Sequence, residues 1–194
     1  MTIENAQKDI IDNFLSEELF NNLKENVSSD YNPWFFVPTI SSVNHKDLRR
    51  DYGFSCFAVN NQPPSKYERY ENIPCALLVY NLHQKIKDEF GFKQVIRCRL
   101  DMTTYRGEDE MTFGPHIDLI GKDYTTIFYL TKCNAPTIIY NEKTNDATIP
   151  NNLTILKRID SIENRLVVFK GDQIHSGMCA TDVPRRILIN TNFI

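Results

Sequence analysis

This sequence of 194 residues lacks the long apolar segments that would attach a protein to a membrane or export it. No apolar run approaches the roughly 18 residues of a membrane helix. Residues 1–12 have no basic flank followed by an apolar core, so they do not resemble a secretory signal. We therefore expect a cytoplasmic protein with no membrane partner.

Cysteine is also sparse, with five residues that never form a CxxC pair. Their odd number and wide spacing argue against a disulfide framework, and the missing CxxC pair argues against a thiolate zinc site. We expect reduced thiols that are mostly packed inside the protein. Histidine is scarcer still, with four residues, so any histidine-based chemistry has few possible carriers.

The sequence has no excess of positive charge, since 22 lysines and arginines stand against 25 acidic residues. The net charge of -3 gives no field that would attract nucleic acid, which is therefore disfavoured as a partner. The 41% of apolar and 24% of charged residues are typical of a folded globular protein. No internal repeat or Gly/Ser-rich linker divides the chain, so we expect one domain over residues 1–194.

Two helices are predicted in the first half of the chain. Ser16 can cap the first helix, and Gly91 stands where the second, beginning near Pro74, would end. His83 in the second helix is expected to be partly exposed. The apolar stripes consist of Leu19, Phe20, Leu23 and Val27 in the first helix and of Leu77, Leu78, Leu82, Ile86 and Phe90 in the second.

From Gln94 onward the pattern changes to short runs rich in Val, Ile, Thr and aromatic residues, separated by turn residues. Helices followed by many short strands predict a mainly β protein, either a β-sandwich or a jelly-roll whose outer face the helices cover. The predicted strands are 95–105, 112–118, 125–131, 137–140, 153–156, 165–169 and 186–193.

An HxD motif supplies the first candidate for chemistry. His116 and Asp118 lie two residues apart, so on a strand both side chains would project to one face. The same motif recurs at His45 and Asp47, but no strand pattern surrounds that pair, and we interpret it as a solvated surface segment.

His175, in the same β-rich half, would complete a set of two histidines and one carboxylate. This is the facial triad of non-heme Fe(II) oxygenases, which leaves coordination positions open for oxygen and a second ligand. Zinc also binds two histidines and a carboxylate, so the triad alone does not identify the metal.

Arg185 and Arg186, at the start of the final strand, could place a guanidinium near the metal. A guanidinium binds a carboxylate bidentately and would anchor a dicarboxylic cosubstrate. Adjacent residues on a strand point to opposite faces. If the helices cover the face of Ile187 and Ile189, then Arg186 and Asn190 face inward, so Arg186 is favoured over Arg185.

Six blocks in a fixed order resemble the 2-oxoglutarate and Fe(II)-dependent dioxygenases, in the branch of prolyl 4-hydroxylases and small phage or bacterial oxygenases. Their order and spacing are far more specific than one HxD motif. The blocks are Tyr105-Arg106-Gly107, His116-Ile117-Asp118, residues 126–131, residues 164–169, His175-Ser176-Gly177 and residues 185–188.

The resemblance implies a double-stranded β-helix over residues 94–194, with 1–93 as helical support and an irregular segment. It implies catalytic Fe(II) bound by His116, Asp118 and His175. The cosubstrate 2-oxoglutarate would be bound by the arginine, with Tyr129 on its distal carboxylate, Tyr105 lining its pocket and Asn190 facing it from the final strand.

The resemblance also implies the reaction, which is hydroxylation of a substrate C–H bond by O2 with decarboxylation of 2-oxoglutarate to succinate. Ascorbate is the candidate reductant. The substrate is a protein residue, such as proline, or a small molecule.

Two other functions would use the same fold. A cupin-like isomerase or a zinc hydrolase would employ the triad without 2-oxoglutarate, and a silent structural or assembly module would employ neither.

Overall fold

A computed structural model describes residues 9–40, 51–61, 67–107, 109–121, 124–146 and 148–194. The second HxD pair, His45 and Asp47, lies outside these ranges. The elements in chain order are β1 (Asp9–Ile11), α1 (Glu17–Ser28), β2 (Phe35–Val37), β3 (Gly53–Asn60), α2 (Ala76–Phe90), β4 (Val95–Thr104), β5 (Tyr124–Tyr129), β6 (Cys133–Lys143), β7 (Ile155–Ser161), β8 (Arg165–Lys170), β9 (Gln173–Ser176) and β10 (Arg185–Phe193).

The strands form two antiparallel sheets. The larger has seven strands in the order β1-β8-β5-β10-β4-β3-β2, and the smaller has three in the order β7-β6-β9. Side chains from both sheets meet in one apolar cluster, where Ile139 and Ile159 of the smaller sheet pack with Val167, Phe169 and Leu188 of the larger. The architecture is the mainly β jelly-roll that the sequence predicts.

Both helices pack on the outer face of the larger sheet. The buried side of α1 carries Phe20, Leu23 and Val27, and that of α2 carries Val79, Leu82, His83 and Ile86. They join one core cluster with Ile187 and Ile189 of β10, so this face of β10 is covered as predicted. Neither described helix has the length and apolarity that crossing a membrane requires.

The predicted helix ends are close to the observed ones. Ser16 Oγ accepts a hydrogen bond from the Leu19 backbone N–H at 3.4 Å. Gly91 adopts the left-handed conformation, with φ 72°, and its N–H donates to the Lys87 carbonyl at 2.8 Å. The second helix begins at Ala76 rather than Pro74, and the outermost members of the predicted stripes, Leu19 and Leu77, are exposed.

Two strand predictions need correction. Residues 112–118 do not form a regular strand but make isolated bridges to β9 and the residues that follow it, because Pro115 has no N–H to donate and interrupts the ladder. The first 93 residues contribute β1, β2 and β3 to the larger sheet in addition to the helices. A register shift in β3 between Phe57 and Val59 interrupts the alternation of inward and outward side chains that would have revealed this strand in the sequence.

His83 is fully buried, not partly exposed as predicted. Its Nδ1 lies 2.7 Å from the Tyr70 hydroxyl, and its Nε2 lies 3.1 Å from Thr191 Oγ1. Both polar atoms of the ring therefore have partners, which compensates for removing the imidazole from water.

Stability should depend on pH through His83. Burial, with a smaller contribution from Lys87, lowers the pKa of His83 to about 3. The unfolded chain, with a histidine pKa of about 6.5, binds this proton first, so stability falls as pH drops below about 6.5, by about 2 kcal/mol at pH 5. Urea unfolding of metal-free protein should show that His83→Gln loses about 2 kcal/mol less than the wild type between pH 7 and 5. Parallel pH profiles for the two proteins would contradict this assignment.

The five thiols are free, and four of them are buried, with only Cys133 partly exposed. This agrees with the expectation of reduced, packed cysteines.

Candidate metal centre

The two histidines of the predicted triad are joined through their backbones. His175 lies in β9, and His116 lies in the irregular segment that runs along this strand. Each donates its backbone N–H to the carbonyl of the other, at 3.0 Å in both directions. The two imidazole rings are consequently held with their centroids 4.6 Å apart.

Asp118 completes a compact cluster with these histidines. One ligand atom from each of the three residues lies within 4.8 Å of the other two, and Asp118 Oδ2 is 3.6 Å from His175 Nε2. His116 Nδ1 lies 2.9 Å from the Gly114 carbonyl, and His175 Nδ1 lies 3.1 Å from the Gln173 carbonyl. Because Nδ1 of each ring donates to a carbonyl, the lone pair of each Nε2 is free to bind a metal.

The charge states of the cluster suit a divalent cation. Burial and the neighbouring His175 lower the pKa of His116 to about 4, so this imidazole is neutral at pH 7. Burial opposes ionisation of Asp118, but the neighbouring His175 and Arg97 outweigh it and hold the pKa of this carboxyl well below its usual range. The cluster therefore offers the neutral imidazole of His116 and the carboxylate of Asp118, together with Nε2 of His175.

Two residues that the sequence did not assign to this role orient Asp118. Arg97 Nη2 donates to Asp118 Oδ1 at 3.2 Å, and Asn190 Nδ2 donates to Oδ2 at 3.0 Å. Arg97 is itself held by a bond from its Nε to Asn192 Oδ1 at 3.1 Å. Asn190, predicted to face the cosubstrate, lines the cavity, and its amide also donates to Asp118.

A cavity beside the cluster is lined by His116, His175 and Arg186. Arg186 is only 4% exposed, and within the described ranges its guanidinium has no carboxylate partner and its Nε no hydrogen bond. Arg185 is exposed, so the cavity receives the arginine that the register argument favoured.

Tyr129 lies beside this guanidinium, with the Arg186 Cζ 5.5 Å from the centre of its ring. Thr137 Oγ1 accepts from the Tyr129 hydroxyl at 2.6 Å and from Arg186 Nη2 at 3.3 Å. Tyr129 is fully buried, and burial raises its pKa, so the phenol stays protonated as a donor. Tyr105 is 45% exposed and is not among the lining residues of the cavity.

These residues fit the groups that the sequence implies. Two histidines and one carboxylate form a donor set for Fe(II), and a buried guanidinium with an unused donor fits a carboxylate of 2-oxoglutarate. Sequence reasoning missed Thr137 and Arg97. A signal for Arg97 was available in the sequence. Arg97, Arg99 and Asp101 are polar residues at every second position of a strand, with apolar residues between them.

Comparison with known proteins gives a result at the level of fold. No protein-family model matches the sequence, and no curated protein matches it. An oxidoreductase of the 2OG-Fe(II) oxygenase family from Burkholderia pseudomallei is similar in structure, with a TM-score of 0.65 and 11% identity, over 97% of this chain and 85% of that one.

Two further solved structures have the same architecture. A prolyl hydroxylase from Trichoplax adhaerens, in complex with a hypoxia-inducible-factor peptide, gives a TM-score of 0.60 and 17% identity over 98% of this chain and 84% of that one. SnoN, an α-ketoglutarate-dependent epimerase of nogalamycin biosynthesis, gives a TM-score of 0.62 and 10% identity over 96% of this chain and 78% of that one. At these identities the likeness establishes the fold, and the function has to be argued from the site.

Proposed function

We propose that this protein is a non-heme Fe(II)- and 2-oxoglutarate-dependent dioxygenase that hydroxylates a C–H bond of its substrate. The observation that carries the proposal is the buried guanidinium of Arg186, which shares a cavity with the His116 and His175 imidazoles and lacks a carboxylate partner among the described residues. A buried, unpaired positive charge is costly to maintain, and an anionic ligand would compensate for it.

Different residues of the site would bind the metal and the cosubstrate. His116, Asp118 and His175 would hold the metal, while Arg186 and the Tyr129 hydroxyl would hold the distal carboxylate of the cosubstrate. When bound, Fe(II) and 2-oxoglutarate together supply the oxidising chemistry, in which O2 is consumed, succinate and carbon dioxide form and the substrate gains a hydroxyl group. Ile127 and Leu188 line the cavity and would exclude water from it.

The substrate can be a protein residue, such as proline, or a small molecule. Both kinds occur among the structural neighbours, since one is a prolyl hydroxylase with a bound peptide and SnoN has been crystallised with Fe3+, α-ketoglutarate and a nogalamycin derivative. The balanced charge of the sequence disfavours nucleic acid.

Anaerobic spectroscopy tests the proposal. Purified protein given Fe(II), ascorbate and 2-oxoglutarate without O2 should show a metal-to-ligand charge-transfer absorption that needs both the metal and the cosubstrate. Its melting temperature should rise when both are added. Tight binding of zinc with no effect of 2-oxoglutarate would instead identify a zinc hydrolase or cupin-like enzyme, and an unchanged melting temperature would identify a silent module.

A further inference from the structure

Strand β4 carries a row of polar side chains that the proposed function leaves largely unused. Arg97, Arg99, Asp101 and Thr103 alternate along the strand and share one face. Arg97 holds the metal-ligand carboxylate, and the other three line the cavity.

The pairing of β4 with β10 places these three side chains relative to the ligands. Thr103 lies opposite Arg186, at the end proposed for the distal carboxylate of 2-oxoglutarate. Arg99 lies opposite Asn190, whose amide donates to Asp118. Arg99 therefore stands at the metal end of the cavity, where a substrate has to approach.

Arg99 has hydrogen-bonding capacity to spare. Its Nη2 donates to Asp101 Oδ2 at 3.1 Å, but its Nε is buried and has no hydrogen-bond partner within the described part of the chain. The hydroxyl of Thr103 is also buried and has no hydrogen-bond partner among the described residues. A guanidinium has five N–H donors, and this single contact with Asp101 uses only one of them. The two side chains of the pair remain 23% and 21% exposed, so a ligand can reach them.

The charges of the site leave a positive surplus. The charged side chains that line the cavity or contact the triad are Arg97, Arg99 and Arg186, with three positive charges, and Asp101 and Asp118, with two negative ones. The charges of the proposed Fe(II) and of the 2-oxoglutarate dianion cancel each other. One positive charge is therefore left uncompensated in a partly dry cavity, which favours a substrate with one negative charge.

The remaining wall of the cavity is apolar. Ile40, Phe54, Met102 and Phe113 line it, so it fits a hydrocarbon portion better than a second polar group. The site thus combines one guanidinium that has donors to spare with a hydrophobic surface.

We infer that the primary substrate has an apolar body and one carboxylate, and that Arg99 binds this carboxylate through its planar donor fork. Asp101 is a positioning residue that orients the guanidinium. This inference depends on the proposed function, because it takes the metal and 2-oxoglutarate as the other occupants of the site. The carboxylate can belong to a small molecule or to an acidic residue of a polypeptide.

Matched probes test the inference. Anaerobic protein loaded with Fe(II) and 2-oxoglutarate is titrated with N-acetyl-L-leucine, N-acetyl-L-methionine and N-acetyl-L-phenylalanine, and with their neutral primary amides. Binding is read by calorimetry and by perturbation of the charge-transfer band. We expect the acids to bind at least about tenfold more tightly than the amides. A parallel titration with blocked peptides that contain one glutamate between apolar residues separates the two sources of the carboxylate.

Variants of Arg99 connect the preference to its guanidinium. In Arg99→Gln the acid-to-amide ratio should fall to about one while the affinity for 2-oxoglutarate changes by less than about threefold. Arg99→Lys, which keeps the charge without the fork, should retain part of the preference and replaces Arg99→Gln if the latter does not fold. Arg69→Gln, at an exposed arginine outside the cavity lining, is the control and should keep the full ratio.

The outcomes separate this inference from the proposed function. If the wild type does not bind 2-oxoglutarate, the proposed function fails. If it binds 2-oxoglutarate but binds no carboxylate probe at all, binds the acids and their amides equally well, or keeps its preference in Arg99→Gln, only the inference is overturned. If the glutamate peptides alone bind, with the same dependence on Arg99, the inference stands and the substrate is a polypeptide.

Discussion

Arg186→Gln is expected to weaken 2-oxoglutarate binding by about 30-fold to more than about 1000-fold, while the affinity for Fe(II) stays nearly constant. Losing one partner of a buried charge pair costs about 2–5 kcal/mol, and each 1.4 kcal/mol is a factor of ten in affinity. Arg186 contacts Thr137 and Tyr129 but none of the three metal ligands directly, so the two affinities should separate. Titration of the anaerobic Fe(II) protein with 2-oxoglutarate, followed at the charge-transfer band, measures the effect.

The neighbouring arginine provides the comparison. Arg185→Gln removes the same charge one position away, but Arg185 is exposed, and its variant should bind 2-oxoglutarate like the wild type. Folding is not the obstacle for Arg186→Gln, because the guanidinium is buried without a carboxylate partner among the described residues and its removal relieves an unpaired charge. Loss of 2-oxoglutarate binding in Arg185→Gln, and not in Arg186→Gln, would mean that Arg185 is the arginine that binds the cosubstrate.

His116→Ala is expected to lower the affinity for Fe(II) by more than about 100-fold and to abolish the charge-transfer band. Removing residues that merely orient metal ligands costs about 10–100-fold, so removing one of three ligands should cost more. Metal affinity is measured by competition with a chelator, and circular dichroism checks that the β fold is retained.

A second buried histidine serves as the control for this variant. His83→Gln alters a histidine that is also buried but bonds Tyr70 and Thr191 on the helical side of the sheet, so its metal affinity should match that of the wild type. A charge-transfer band that persisted in His116→Ala would place the metal elsewhere.

The sequence predicts the clustering of His116, Asp118 and His175 and the inward position of Arg186, but it misses parts of the scaffold around them. The inward position of Arg186 follows from strand alternation once the helices are taken to cover Ile187 and Ile189. The triad could be assembled because so few histidines are available. By contrast, Arg97 donates to Asp118 from a strand 21 residues earlier. The polar alternation from Arg97 to Asp101 marks one face of that strand, but it does not indicate which carboxylate the face meets.

The failures have local physical causes. Residues 112–118 satisfy the strand pattern in side chains, but Pro115 removes a backbone donor, so the segment pairs only at isolated points. His83 falls on the buried side of α2, and burial is tolerated because Tyr70 and Thr191, which lie outside this helix, supply partners for both ring nitrogens. The edge strand β7 is mostly exposed, so it lacks the alternation that would have marked its full length from Ile155 to Ser161.

The reciprocal backbone bonds between His116 and His175 have a consequence for how this protein can change over time. Main-chain donors and acceptors are the same for every residue type except proline, so the spacing of the two imidazoles does not depend on which side chains surround them. Substitutions on β4 can therefore alter what the cavity accepts without disturbing the distance between these ligands. Under the proposed function, substrate choice and metal binding can therefore vary separately in this protein, and new specificities can arise in steps that each keep the two imidazoles in place.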